Sequence, residues 1–220
     1  MKHILPTPIS YLITSGATTG ETTPSSKEFR RVLSLVESAV AAGVTFVQLR
    51  EKHLSAGTLY ELAARAASLT GGSDTRLLVN DRADIACAAH CDGVHLTTQS
   101  IPTPVVRRAF GADFLIGVST HTLTEARAAR DEGADFVVFG PVFDTPSKRD
   151  YGSPPGLDAL GEAALSLSPF PVVALGGINT VERARDCLRT GASGVAAIRL
   201  FGEAANLREI VREIEATAGI

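Results

Sequence analysis

One pattern recurs four times along the chain and limits the folds open to it. A helical stretch ends near a glycine and leads at once into a short run of strand-forming residues, at 39-AVAAGVTFVQL-49, 88-AAHCDGVHL-96, 129-ARDEGADFVVF-139 and 188-LRTGASGVAAI-198. Glycine adopts the left-handed conformation that ends a helix, and the residues after it change from a helical to an extended period. Each copy therefore predicts a helix that runs directly into a strand.

The segments between these junctions complete eight strand–helix units. Strands are predicted near Ser10–Thr14, Thr45–Arg50, Arg76–Asn80, Gly93–Leu96, Leu115–Ser119, Phe136–Gly140, Val172–Leu175 and Gly194–Ile198. Helices are predicted at Lys27–Ala42, Ala56–Leu69, Ala83–His90, Thr103–Phe110, Leu123–Glu132, Leu157–Ser166, Val181–Thr190 and Ala204–Ala218. These units predict an α/β fold, a single (β/α)8 TIM barrel. The alternative is an open doubly wound sheet, but its usual G-x-G-x-x-G turn is absent from 15-SGATTGETTPSS-26.

Composition excludes several classes of protein. The 220 residues carry a formal net charge of −3, so no basic field is present of the kind that binds nucleic acid through its phosphates. The longest apolar runs are far shorter than the ~20 residues that a membrane helix needs. With no linker and no secretory signal pattern, we predict one domain over residues 1–220, located in the cytoplasm. A homo-oligomer remains open, because exposed apolar surface could pair two barrels.

Two interpretations apply to the cysteines. Cys87, His90 and Cys91 would share one helical face, with His95 close behind, and one interpretation of this group is a zinc site. No second ligand pair follows at finger-like spacing, and small thiols are commonly buried as hydrophobic groups. We therefore interpret the cysteines as structural, in a reducing compartment.

The second predicted strand ends in polar residues. Phe46, Gln48 and Arg50 share one face of it, and Lys52 follows. Since the active site of such a barrel lies at the carboxyl ends of its strands, these donors predict contacts with an anion or a polar ring. The alternative is a solvated strand end.

Polar side chains also end the next three strands. Asn80 and Asp81 end the third, and Asp81 is either a ligand for a divalent cation or the cap of the following helix. The fourth ends at His95 and the fifth at Ser119, with His121 two residues on. Histidine at this rim suits proton transfer near neutral pH, although a single histidine is more often a hydrogen-bonded structural residue.

The loops after the last three strands carry signals for phosphate binding. The long loop after the sixth strand predicts a lid that brings an ammonium group and hydroxyls onto a phosphate. Glycines follow the seventh strand, and the loops after strands seven and eight commonly bind phosphate in this fold. The residues concerned are Thr145, Ser147, Lys148, Gly176, Gly177, Ile198 and Arg199.

Six motifs lie at these strand ends: 48-QLREK-52, 80-ND-81, 93-GVHL-96, 117-GVSTHT-122, 140-GPVF-143 with Lys148, and 176-GGI-178. With them the chain resembles, over nearly its whole length, the thiamine phosphate synthases and the related thiazole tautomerases of the TenI type. The resemblance implies a (β/α)8 barrel that acts on hydroxymethylpyrimidine pyrophosphate and thiazole phosphate. In the synthases, pyrophosphate leaves with the help of magnesium, and the thiazole nitrogen attacks the resulting cation.

The resemblance also implies roles for single residues. Pyrimidine and pyrophosphate contacts are implied for Gln48, Arg50, Lys52, Asn80, Ser119 and Lys148, and Asp81 is implied as a Mg²⁺ ligand. The thiazole phosphate is implied to contact Thr145, Ser147, Gly176, Gly177, Ile198 and Arg199, and we add His95 to the substrate-binding set. Preorganised cations such as Arg50 and Lys52 suit the charge that develops on a departing pyrophosphate.

Three departures from the synthase pattern keep other functions open. In 95-HLTTQS-100 the position of a second magnesium-binding Asp is Ser100, the lid reads 143-FDTPSK-148, and Arg199 stands where Ser is frequent. A hydroxyl replaces a carboxylate poorly on Mg²⁺. The alternatives are a tautomerase that uses His121 as its acid and base, and a barrel that binds a thiamine precursor without catalysis.

Overall fold

The computed structural model describes residues 5–144 and 154–219, and these form a closed barrel of eight parallel strands. Each strand pairs with the next along the chain, and the eighth pairs with the first. Helices connect the strands on the outside of the barrel. The (β/α)8 prediction is therefore confirmed.

The strands are β1 to β8 in chain order: Ile9–Ile13, Phe46–Leu49, Arg76–Asn80, Gly93–Leu96, Leu115–Thr120, Phe136–Phe139, Val172–Leu175 and Gly194–Ala197. The helices that the structure describes are α1 to α9: Lys27–Ala42, Ala56–Thr70, Ala83–Ala88, Thr103–Phe110, Leu123–Asp131, Gly156–Leu167, Val181–Arg189, Arg199–Gly202 and Leu207–Glu215.

The four repeated junctions lead into the even-numbered strands, and the same type of hydrogen bond forms at each of them. The residue just before each even strand accepts a hydrogen bond from a backbone N–H of the preceding odd strand. The pairs are Ser10 to Thr45 at 3.2 Å, Leu77 to Asp92 at 2.8 Å, Ile116 to Asp135 at 2.8 Å and Val172 to Ser193 at 3.3 Å. The repeat in the sequence thus corresponds to a repeated hydrogen bond that fixes one strand against the next.

Alternation along the strands separates two cores. Side chains that face outward pack against the helices in one large apolar cluster, whereas those that face inward fill the barrel. The rings of Tyr11, Phe46 and Phe136 form the centre of the interior, with 5.1 Å between the centroids of the two Phe rings. A Cβ on Gly117 would lie 2.3 Å from Cζ of Phe136, so glycine there makes room for this ring.

Most predicted boundaries lie within one residue of those in the structure, and three of the differences have a local cause or affect the site. Helix α3 ends at Ala88 rather than His90, because His90 adopts the left-handed φ of 57°. Strand β8 ends at Ala197, and the short helix α8 begins at Arg199. The last long helix begins at Leu207 instead of Ala204, because the Asn206 side chain accepts a hydrogen bond from the Glu209 N–H and so sets its first turn.

The described residues bear on two further predictions. None of their helices is long and apolar enough to cross a membrane. Cys91 and Cys187 are buried, and burial raises the pKa of each thiol to about 12, whereas Cys87 is exposed. Within 5–144 and 154–219, no three His, Cys, Asp or Glu side chains are grouped to hold a metal ion.

Candidate functional site

The carboxyl ends of β2 and β3 bring two amides together inside the barrel mouth. Nε2 of Gln48 donates to Oδ1 of Asn80 at 3.0 Å. Gln48 is buried, yet its Oε1 has no hydrogen-bond partner in the described part of the chain. A buried acceptor without a donor is costly, and a ligand that supplies an N–H or O–H would satisfy it.

Arg50 and Lys52 follow Gln48 at the same rim. The Arg50 N–H donates to Oγ1 of the buried Thr14 at 2.8 Å, which fixes the backbone at the end of β2. Neither cation lies within 4.0 Å of a carboxylate among residues 5–144 and 154–219. Both positive charges are therefore available to an anion.

Glu51 lies between these cations and has a role that the sequence reasoning did not assign. Its buried carboxylate accepts hydrogen bonds from the N–H of Gly16 at 3.3 Å, from the N–H of Thr18 at 3.2 Å and from Oγ1 of Thr18 at 2.6 Å. These contacts anchor the loop between β1 and α1 beside Arg50. In the sequence, the feature that pointed to Glu51 was its position: a carboxylate that alternates with the inward-facing Gln48 and Arg50.

Asp81 stands directly after β3 in the left-handed conformation, with φ 63°. It does not cap α3, because the cap position is Arg82 and no side chain makes a capping hydrogen bond there. Arg82 instead pairs with Asp84 at 2.8 and 2.6 Å, and that hydrogen bond lowers the pKa of Asp84. The exposed Asp81 carboxylate is thus not used to start the helix, and its backbone holds a conformation that is frequent at functional sites.

Ser100 has a local structural role. Its Oγ accepts a hydrogen bond from the Thr97 N–H at 2.7 Å and lies 3.1 Å from Oγ1 of Thr97. These bonds close the turn after β4. The departure from the synthase pattern is therefore built into a turn, and the exposed Asp81 carboxylate remains directly after β3.

His95 of β4 is buried within a chain of hydrogen bonds. Its Nε2 lies 2.8 Å from Oγ of Ser119, and its Nδ1 lies 3.2 Å from the hydroxyl of Tyr11. Burial, assisted by the Arg50 charge, lowers the pKa of His95 to about 4, so the imidazole is neutral near pH 7. Tyr11 was missed as a site residue, although a phenol in the apolar run of β1 was a signal that its hydroxyl needs a partner.

His121 lies apart from this chain, on the exposed rim after β5. Its Nδ1 is hydrogen-bonded to the Gly140 carbonyl, and its N–H donates to Oε2 of Glu125 at 2.6 Å. The ring is therefore oriented by the start of the loop after β6. His95 and Ser119 are hydrogen-bonded to each other, whereas no hydrogen bond joins His121 to either of them.

The glycine pair after β7 permits a close approach of two loops. Gly176 and Gly177 have φ of 105° and 68°, and a Cβ on Gly177 would lie 2.6 Å from Cβ of Phe143. Arg183 lies over the Phe143 ring, 4.9 Å from its centroid, and donates to the Gly177 carbonyl at 2.6 Å. Because C=O and N–H point in opposite directions across a trans peptide, the Ile178 N–H points away from Arg183. That N–H has no acceptor in the described residues.

The remaining predicted residues lie near the glycines or outside the described part. Ile198 packs against the barrel interior at the end of β8. The exposed Arg199 begins α8 and forms no ion pair within 5–144 and 154–219. Thr145, Ser147 and Lys148 lie outside the described residues.

Comparisons with known proteins agree with this arrangement. Residues 20–201 match the family model described as thiamine monophosphate synthase. The chain is 40% identical over 185 residues to the thiamine-phosphate synthase of Moorella thermoacetica, covering 84% of this chain and 87% of that protein. It is 38% identical over 187 residues to the thiamine-phosphate synthase of Chloroflexus aurantiacus, covering 85% of each.

A solved structure gives the same result in three dimensions. The thiamine phosphate pyrophosphorylase of Pyrococcus furiosus superposes with a TM-score of 0.79 at 30% identity, covering 96% of both chains. The family resemblance noted from the motifs is confirmed. The chain belongs to the thiamine monophosphate synthase family.

Proposed function

We propose that this protein is a thiamine phosphate synthase, which joins hydroxymethylpyrimidine pyrophosphate to thiazole phosphate and releases pyrophosphate. One observation carries the proposal most directly: among the described residues, the buried Oε1 of Gln48 has no hydrogen-bond partner, and Arg50, just after the same strand, has no carboxylate partner. A ligand with an N–H group at one end and an anion at the other satisfies both. An aminopyrimidine joined through a methylene to pyrophosphate has this arrangement.

The pyrimidine ring is assigned to the pair formed by Gln48 and Asn80. The Gln48 Oε1 accepts from the ring amino group, while the hydrogen bond between the two amides keeps the oxygen facing the ligand. His95, next to them in the strand order, supports the same pocket. Orientation by fixed groups of this kind places the reacting methylene where the second substrate can reach it.

The leaving group is assigned to Arg50 and Lys52, with Ser119 as a neutral donor and Lys148 from the loop after β6. When the bond between the methylene carbon and oxygen breaks, its electron pair leaves with pyrophosphate, and negative charge grows on that oxygen. Preorganised cations and donors stabilise this charge more than that of the ground state. The pyrimidinylmethyl cation then forms a bond to the thiazole nitrogen.

A magnesium ion would fit the residues present: the exposed Asp81 carboxylate would hold it, and the pyrophosphate would supply further oxygens. Mg²⁺ is commonly bound by one or two carboxylates, several waters and substrate phosphates, so one protein carboxylate is compatible with it. The ion would supply positive charge to the departing pyrophosphate. Ser100, which is committed to its turn, is not assigned to the metal.

The thiazole phosphate is assigned to the loops after β7 and β8. The N–H of Ile178 and the small surface of Gly176 and Gly177 provide the close backbone approach that phosphate oxygens need. Ile198 lines the apolar side, and Arg199 adds a positive charge that has no partner in the described residues. Thr145 and Ser147 would supply hydroxyls from the loop after β6.

A thiazole tautomerase is the second candidate, and the position of His121 favours it. The bond from Nδ1 to the Gly140 carbonyl orients the ring and leaves Nε2 to exchange protons with a ligand at the rim. That activity requires His121 and no pyrimidine substrate. A catalytic test with both substrates therefore separates the two candidates, and binding of thiazole phosphate without either product would indicate a non-catalytic precursor-binding barrel.

The test uses purified full-length protein, both substrates and Mg²⁺, with fluorescent detection of thiamine phosphate after oxidation. Product that requires both substrates and is lost in Arg50→Ala supports the synthase. His121→Ala is the matched variant, because it lies at the rim outside the proposed pyrophosphate site. Absence of thiamine phosphate, together with aromatisation of a thiazole carboxylate phosphate that is lost in His121→Ala and retained in Arg50→Ala, would favour the tautomerase. We further propose that the chain works as one domain, in the cytoplasm, on small phosphorylated substrates.

A further inference from the structure

The hydroxyl of Tyr11 is enclosed in the middle of the barrel. The side chain is completely buried, and its ring packs edge-on against Phe46 and Phe136. Its hydroxyl has one hydrogen-bond partner in the described residues, Nδ1 of His95. Burial raises the pKa of Tyr11 well above 10, so the phenol keeps its proton.

This single partner determines the direction of the hydrogen bond. A neutral imidazole carries one proton, on either Nδ1 or Nε2. If Nδ1 carried it, the Tyr11 O–H would be a buried donor with no acceptor among residues 5–144 and 154–219, which is a costly arrangement. The O–H therefore donates to Nδ1, and the imidazole proton lies on Nε2.

The same direction continues to Ser119. With the proton on Nε2, His95 donates to Oγ of Ser119 across 2.8 Å. The serine oxygen is an acceptor in that bond, so its own O–H remains available to a third group. His95 cannot then remove a proton from Ser119, and the pair differs from a serine nucleophile with its general base.

We infer that Tyr11 is a positioning residue that fixes the tautomer of His95 and thereby makes Ser119 a hydrogen-bond donor toward the barrel mouth. The inference rests on the proposed function for the identity of the acceptor, an oxygen of the pyrophosphate held by Arg50. The order of donation is Tyr11 to His95, His95 to Ser119, and Ser119 to the substrate. No residue of the chain gains or loses a proton in the reaction.

The direct test is ¹⁵N-histidine NMR of the ligand-free full-length protein, with His95→Asn to assign the signal. The expected pattern at pH 7 is a protonated Nε2 and an unprotonated Nδ1. In Tyr11→Phe the hydrogen bond that holds Nδ1 as an acceptor is lost, and part of the His95 population should move its proton to Nδ1. A protonated Nδ1 in the wild type, or an unchanged tautomer ratio in Tyr11→Phe, would overturn the inference.

A kinetic pair provides a second readout. An N–H donor near the position of Nε2 is preserved in His95→Gln and removed in His95→Asn, so kcat should be at least about tenfold higher in the Gln variant. Equal or reversed kcat values in two folded variants would contradict the role of His95 as donor. Because the NMR result needs no substrate, the hydrogen-bond chain and the synthase activity can fail independently: correct tautomers without thiamine phosphate formation would remove only the proposed function.

Discussion

Nε2 of Gln48 donates to Oδ1 of Asn80 at 3.0 Å, and this bond between the ends of β2 and β3 uses one N–H of Gln48, while its Oε1 has no partner in the described part of the chain. The arrangement specifies the polarity of the missing partner: it must donate. An amino group on a heterocycle meets this requirement, whereas a carbonyl or a phosphate oxygen does not. The pair thus separates the pyrimidine end of the site from the anion end at Arg50.

Replacing Gln48 by Met, which has a similar volume and cannot accept strongly, tests this assignment. We expect KM for hydroxymethylpyrimidine pyrophosphate to rise roughly 3–10-fold, corresponding to one lost hydrogen bond, with little change in KM for thiazole phosphate. Steady-state kinetics with each substrate varied in turn measures both values. Thr120→Val is the matched control, because Thr120 Oγ1 is also buried and unpartnered in the described residues but lies on the outer face of its strand. An equal effect in both variants would contradict the assignment.

Magnesium dependence tests the role of Asp81. In Asp81→Asn we expect the Mg²⁺ concentration for half-maximal activity to rise at least about tenfold, because an amide oxygen is a weaker ligand than a carboxylate. Asp84→Asn is the control, since Asp84 is paired with Arg82 and should leave the Mg²⁺ dependence unchanged. In Ser100→Asp a carboxylate can still accept the Thr97 N–H, and we expect a lower Mg²⁺ requirement than in the wild type. Identical Mg²⁺ curves for Asp81→Asn and wild type would exclude Asp81 as a ligand.

Gly177 tests the phosphate cradle. A Cβ there meets Phe143 at 2.6 Å and the Asp144 carbonyl at 3.0 Å, so Ala must displace the loop after β6. We expect Gly177→Ala to raise KM for thiazole phosphate by about tenfold or more, with a smaller effect on the pyrimidine substrate. Gly43→Ala is the control: Gly43 has φ 77° and a Cβ there would meet no atom within 4 Å, so the variant should lose about 1 kcal/mol of stability and keep its kinetics. Unchanged kinetics in folded Gly177→Ala would argue against the cradle.

The barrel was predictable because the four junctions at Thr45, Asp92, Asp135 and Ser193 are local in sequence. Each combines a helix end, a turn and a strand start within a few residues, so periodicity and glycine positions suffice to indicate it. Strand ends and strand alternation also predicted which residues lie at the carboxyl ends of the strands, namely Gln48, Arg50, Asn80, Asp81, Ser119 and the glycine pair. Their chemical roles came from the family resemblance.

Contacts between distant segments could not be predicted in this way. Tyr11 and His95 are separated by 84 positions, and Glu51 meets Thr18 across 33. Which polar side chain on one strand reaches which on another depends on barrel stagger and on the packing of Phe46 and Phe136. The end of α3 at Ala88 depends on a left-handed His90, which lacks the glycine signal that marks the other junctions.

The burial of His95 should also make the free energy of unfolding depend on pH. The folded protein binds a proton at His95 only near pH 4, whereas an unperturbed histidine binds it near 6.5. The unfolded state therefore binds more protons between these values, and the free energy of unfolding should fall as pH decreases from 6.5 to 4, by up to roughly 3 kcal/mol. Above pH 6.5 this destabilisation is absent. Urea unfolding at several pH values should show a shallower acid slope in His95→Gln; an identical slope would contradict a buried neutral imidazole.

The most direct measurement is the formation of thiamine phosphate from hydroxymethylpyrimidine pyrophosphate and thiazole phosphate by the purified protein. We expect product that requires both substrates and Mg²⁺, that appears with one pyrophosphate per thiamine phosphate, and that falls at least about 100-fold in Arg50→Ala. Folded protein that yields no product, while a control synthase is active in the same mixture, would contradict the assignment as a synthase.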